Sequence, residues 1–118
     1  MSGALAAIMG GRPTMRVTVN RDNVSGYSNT VPATAQTTET VTVTPVGGKP
    51  PYTYVWTLVS GTTLRVIQST PDQAKFSYRF FAYGSVTAVY KCTVTDAAGV
   101  VRDSPNVTIY LEAFNPGV

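Results

Sequence analysis

The chain has 118 residues, enough for one domain with a real core and too short for two. Hydrophobic residues make up 43% and charged residues 13%, so burial can drive folding while the surface takes its polarity from Thr, Ser, Asn and Gln. Its +3 net charge is scattered over Lys49, Lys75, Lys91, Arg65, Arg79 and Arg102, unlike a nucleic-acid groove; a single cysteine, Cys92, and no histidine exclude an intrachain disulfide and most zinc-ligand sets.

The opening Met1 to Gly11 carries no charge, and its apolar stretch, Ala4 to Met9, is short. It therefore lacks the pattern of an export signal and falls far below the ~20 residues of a membrane-spanning helix, so a soluble protein made in a cytoplasm, without membrane insertion, is expected. A Gly- and Ala-rich terminus stays ordered only where something pins it, so residues 1–13 are expected to be a docking segment, with Leu5, Ile8 and Met9 as its contact residues.

From Thr14 onward apolar side chains recur every second residue, which predicts an all-β domain over residues 14–113. Met15, Val17 and Val19 face inward, with Arg16, Thr18 and Asn20 outward; Asn23 to Asn29 then reads as turn chemistry. A second strand runs Glu39 to Thr44 with Val41 and Val43 inward, ended by Pro45 and Gly47-Gly48. Tyr52, Tyr54, Trp56 and Leu58 share a face of the next strand and place the centre of the core at Trp56. Ser60-Gly61 marks a turn, Leu64 to Ile67 a short strand and Pro71-Asp72 another turn. Phe76, Tyr78 and Phe80 then alternate inward until Tyr83-Gly84. The adjacent Phe80 and Phe81 cannot both point inward, so one sits in a bulge or is exposed for a partner. Ala88, Tyr90, Cys92 and Val94 are the inward residues of the following strand. Asp96-Ala97-Ala98-Gly99 forms a hairpin, and Val107, Ile109 and Leu111 belong to the last strand. About seven antiparallel strands at this spacing predict a two-sheet β-sandwich without a disulfide, followed by a short tail, 114–118.

Two blocks, Gly47-Gly48-Lys49-Pro50-Pro51-Tyr52-Thr53-Tyr54-Val55-Trp56 and Tyr90-Lys91-Cys92-Thr93-Val94-Thr95-Asp96-Ala97-Ala98-Gly99, resemble bacterial and phage immunoglobulin-like domains, including relatives of the polycystic kidney disease repeat. The likeness covers roughly residues 15–112 and implies an immunoglobulin-like sandwich. The first block would enter the third strand with its core Trp, and the second would form the penultimate strand and hairpin. By the same likeness Tyr90 matches the tyrosine-corner residue, whose hydroxyl would bond backbone near the strand entry. The opening segment looks like the starts of small immunoglobulin-like proteins encoded among phage structural genes.

No carboxylate pair, histidine or activated nucleophile forms a catalytic pattern, so no enzyme activity, cofactor or metal is expected. Cys92, between inward Tyr90 and Val94, reads as an inert core thiol. Asp96 and Asp103 could in principle hold calcium, but turn capping fits their spacing better. A sugar-stacking role for Tyr52, Tyr54 and Trp56 is weaker than a core role because of their strict alternation. Tyr110 and Phe114 fall outside the inward set and, with Phe81, define a candidate interface. The expected function is structural: an accessory protein of a bacteriophage virion, on tail or head surface, capsid decoration included. It would be assembled in the host cytoplasm and act through other virion proteins, in a homo-oligomer or symmetric array, with weak adhesion to host-surface glycans. The alternative is a bacterial surface adhesin or carbohydrate-binding module.

Overall fold

A computed structural model describes residues 14–29 and 36–115. Every regular element among them is a strand: β1 (Arg16–Val19), β2 (Asn23–Ser28), β3 (Gln36–Thr37), β4 (Val41–Val46), β5 (Thr53–Gly61), β6 (Arg65–Ile67), β7 (Gln73–Tyr78), β8 (Gly84–Thr95), β9 (Val101–Asp103) and β10 (Val107–Ala113). They build two sheets. In the first, β1 pairs with β4, while β7 is flanked by β3 and β4 on one side and by β6 on the other. The second runs β2, β10, β8, β5, with β9 continuing the line of β10 along β8.

The sheets pack face to face. One core cluster joins Val41, Ala74 and Phe76 of the first sheet to Val24, Ala88, Tyr90, Val107, Ile109 and Leu111 of the second; another joins Met15, Val17 and Val43 to Cys92 and Val94. Trp56 packs against both clusters. Its burial is only partial, because β5 is the edge of its sheet and its inward side chains are covered from one side. The fully buried aromatic is Phe76, whose ring lies 5.5 Å from Trp56 and 5.0 Å from Tyr90, so the deepest point of the core lies on β7 of the facing sheet, across from the position expected.

Several segments differ from the sequence reading. Asn23 to Ser28, expected as a turn, is a strand pairing in parallel with β10, so the sheets are not wholly antiparallel. This pairing buries Val24 and Gly26, and a tertiary ladder outranks weak local propensity. There are ten strand segments among the described residues instead of about seven, because β2 is added and the lines β3–β4 and β9–β10 are each broken by an extra residue. Strand β4 continues through Pro45, opposite Val17. The Val43 N–H points to Asp72, where β7 has yet to begin, so two residues on Pro45 has no neighbour to which a donor is owed. Gly61 belongs to β5, beyond a bulge after Leu58, with φ +92°; a Cβ there would sit 2.4 Å from the Thr87 carbonyl oxygen. Ser77, expected outward, is buried: it is small, and Thr37 and Arg65 flank it in register.

The two breaks share one device. In the first sheet, Thr38 N–H donates to the Phe76 carbonyl at 3.0 Å, and its hydroxyl accepts the Phe76 N–H at 3.1 Å while donating to the Glu39 carbonyl at 2.8 Å. In the second, Ser104 N–H donates to the Cys92 carbonyl at 2.7 Å, and its hydroxyl accepts the Cys92 N–H at 2.9 Å while donating to the Pro105 carbonyl at 2.9 Å. Where an extra residue displaces the backbone carbonyl, a buried hydroxyl takes its place, and the central strand's N–H stays satisfied at the most enclosed residue of its face.

Candidate contact surface

Of the residues singled out in the sequence, Phe76, Tyr90 and Cys92 are buried, while Tyr54, Trp56 and Tyr78 are half-buried and packed against the core. Tyr90 is held at its hydroxyl, which accepts the Leu64 N–H at 2.8 Å and donates to the Leu64 carbonyl at 3.2 Å. The partner is therefore backbone, but in the connection before β6 and not at the entry of its own strand. The tyrosine pins a crossing between sheets in place of forming a corner. Tyr52 donates its hydroxyl to the Gly47 carbonyl at 2.7 Å, so the row from Tyr52 to Trp56 is turned toward the core and offers no outward platform.

Cys92, Asp96 and Asp103 each have a structural occupation. Burial pushes the Cys92 thiol up to about 12, far from the thiolate needed for nucleophilic chemistry. Asp96 caps its own hairpin: Oδ1 accepts the N–H groups of Ala98 at 3.0 Å and Val100 at 2.8 Å, and Oδ2 accepts the Lys49 N–H at 3.0 Å. Gly99, at φ +87°, closes that turn. Asp103 lies below the ordinary carboxylate range because the Thr93 hydroxyl donates to it at 2.7 Å and the Lys91 ammonium sits 2.9 Å away. The two aspartates thus serve separate local networks, and no group of three His, Cys, Asp or Glu gathers around a common point among the described residues.

The exposed aromatics lie elsewhere. Phe80 turns into the core, edge-on to Tyr78 at 4.9 Å, and Phe81 turns out, 75% exposed, with the Arg79 guanidinium 5.6 Å above its ring. Phe81 is thus the one of the pair that leaves the inward face: Phe80 keeps the inward parity of Phe76 and Tyr78, and Phe81 follows the outward parity of Lys75 and Arg79. On the outer face of the second sheet Tyr110 of β10 meets Tyr27 of β2, with ring centroids 6.1 Å apart and planes tilted by 57°. Two residues beyond Tyr110, Glu112 lines a shallow hollow with Tyr83, Ser85, Phe114 and Asn115. The Phe114 N–H is fixed to the Ser28 carbonyl at 2.9 Å, so this aromatic end is tied to the framework.

Tyr110 and Phe114 are therefore neighbours along one strand end. Phe81 lies on the adjoining loop, two residues before Tyr83, with no ring contact to either. The sequence reading, which takes Asn23 to Asn29 as a turn, misses Tyr27, 58% exposed; it shares the outer face of β2 with Asn23 and Ser25, a face that exists only because β10 lies alongside. Leu5, Ile8 and Met9, with the whole 1–13 segment, lie outside the described residues, as do 116–118 of the tail. No family model matches the chain, and no curated protein matches it either.

Proposed function

We propose that this chain is a non-catalytic immunoglobulin-like module that works through protein contacts as an accessory structural protein of a bacteriophage virion. The strand order supports the immunoglobulin-like assignment: β1, β4, β7 and β6 follow the A, B, E, D order of such domains, and β5, β8 and β10 follow C, F, G. Strand β2 adds a parallel neighbour to the last strand.

The observation that carries a binding role is the aromatic end formed by Tyr27, Tyr110, Tyr83 and Phe114. Large aromatic rings, two of them on paired strands and two at the strand ends beside them, supply contact area at little entropic cost, which is the chemistry of a recognition surface. A repeating particle surface lets many copies bind weakly and still decorate stably. The placement of virion, head or tail comes from the phage resemblance. Glu112 beside exposed rings favours a second reading, adhesion to host glycans, since sugars are gripped by stacking plus an acceptor for their hydroxyls.

Antibody labelling of purified particles of the phage that encodes the chain, with mass spectrometry of their proteins, tests the first reading. The expected result is a regular label at one structural location, lost or sharply reduced in a Tyr110→Glu/Phe114→Glu variant that still folds. Particles free of the chain, or decoration unchanged in that variant, overturn it. A glycan array on the folded chain separates the second reading, which predicts retention on sugars that Tyr27→Ala abolishes.

A further inference from the structure

We infer that two copies of this chain pair through the free edge of β5, antiparallel and about a two-fold axis, to make one continuous eight-stranded sheet. A sheet edge exposes a row of unpaired N–H and C=O groups, and soluble proteins guard such rows with charge, short strands or covering segments. Among the described residues, three of the four outer edges are guarded. Strand β1 has four residues and begins with Arg16; β6 has three and begins with Arg65. On β2 the Ser25 N–H is capped by the Glu39 carboxylate at 2.9 Å, which holds that carboxyl below its ordinary range, and Gly26 lies against the Thr37 carbonyl.

Among the described residues, strand β5 has none of these devices. It runs nine residues, Thr-Tyr-Val-Trp-Thr-Leu-Val-Ser-Gly, with no charge and no proline, and its solvent face carries Val55 at 59% and Val59 at 46% exposure. The Cys92 N–H and carbonyl both point to Ser104, so its partner Trp56 belongs to a pair that exchanges no backbone bonds with β8. By the alternation of an antiparallel ladder, the N–H and C=O groups of Tyr54, Trp56 and Leu58 all point to the open side.

A second β5 fits that row. Centred on Trp56 opposite Trp56 of the other copy, with Tyr54 opposite Leu58, the three outward-pointing residues exchange donors and acceptors with their counterparts in full. On the solvent face the same register sets Val55 beside Thr57, a pair of β-branched side chains suited to cross-strand contact. No like charges meet at this seam. The nearest cation, Lys91 opposite Thr57 on β8, is already neutralised by Asp103. Among the described residues each copy has one unguarded edge, so an isologous pair leaves only guarded edges and assembly stops at two.

This inference goes beyond the virion reading and does not depend on it, since its test uses only the purified full chain. Sedimentation from micromolar to millimolar concentration is expected to show a monomer–dimer equilibrium. Amide exchange over the same range should slow at Tyr54, Trp56 and Leu58, while Val55 and Thr57 stay slow throughout. A Val55→Lys/Thr57→Lys variant, altered only on the solvent face, should associate about tenfold more weakly or less, because like charges then face each other across the seam. A monomer at every concentration overturns the inference. So does a dimer whose Tyr54, Trp56 and Leu58 amides exchange freely, or protection of those amides in the monomer itself, which would mean that the edge is covered from within one chain. If the double variant fails to fold, the exchange pattern of the unaltered chain decides alone.

Discussion

Replacing Ser104 by Ala, or Thr38 by Val, removes one hydroxyl and leaves the shape of the core nearly unchanged. At each site the loss strands the N–H of a completely buried residue, Cys92 or Phe76, whose backbone acceptor has been displaced by the bulge. It also frees a carbonyl, on Pro105 or Glu39. An unsatisfied buried donor costs about 1 to 3 kcal/mol, so each substitution should destabilise the domain by about 2 kcal/mol. For a domain of this size that is a fall of roughly 8 to 16 °C in Tm. The two sites lie in different sheets and share no hydrogen-bond partner, so the double variant should lose close to the sum, about 4 kcal/mol. Ser104→Thr and Thr38→Ser keep the acceptor and should cost under about 1 kcal/mol. Urea melts of the five variants measure this, with amide exchange at Cys92 and Phe76 as the local readout. If the hydroxyl-free variants lose less than about 0.5 kcal/mol while those two amides stay slow, the account of the bulges is wrong.

Tyr90→Phe should cost about 2 kcal/mol, since both Leu64 backbone groups lose their partner in a buried place; unchanged exchange at the Leu64 amide would contradict that. Gly61→Ala combines positive φ with an approach of 2.4 Å to the Thr87 carbonyl and should cost on the order of 3 kcal/mol. Gly99→Ala meets open space and should cost only about 1 to 2 kcal/mol, so equal losses in denaturant melts would count against the steric argument. Cys92 should resist iodoacetamide at neutral pH in the folded chain and react on unfolding. Its folded value is raised, so the stability it contributes is complete below the unfolded value near 9.0 and is lost as pH climbs from there toward about 12. Alkaline melts of Cys92→Ala against the unaltered chain check that sign: the variant should lose less stability across that window.

The period of two was enough to place Met15 and Val17, and the run from Ala88 to Val94, because a strand with one dry face must repeat apolar residues at that interval. It failed where the fold is decided between distant segments. Nothing within Asn-Val-Ser-Gly-Tyr-Ser distinguishes a strand from a loop; the ladder supplied by β10 makes it one. Thr38 and Ser104 are small polar residues next to strand ends, with nothing in their neighbours to set them apart from surface positions. Their role emerges only when an extra residue shifts the register and leaves a core N–H without a carbonyl. The aromatic surface was half visible: Tyr110 and Phe114 stand out of phase with the inward set, while Tyr27 was hidden by the missed strand.

The two surfaces occupy opposite edges of one sheet, and that arrangement has a consequence for binding. Tyr27 and Tyr110 sit on β2 and β10, whereas the open ladder runs along β5, with β8 between. Two copies joined at β5 would therefore display their aromatic ends at the two far margins of the shared sheet, seven strand spacings apart. At about 4.8 Å per spacing, that separates the outer strands by roughly 34 Å along the twisted sheet. A partner presenting sites at that interval gains the effective concentration of a tethered second contact, and one presenting single sites does not. Apparent affinity for a repeating surface should thus fall toward the single-site value in Val55→Lys/Thr57→Lys, although no aromatic residue has been touched. Surface plasmon resonance on immobilised particles at high and low site density measures the difference. An avidity that survives loss of the pair would mean that the two surfaces act independently.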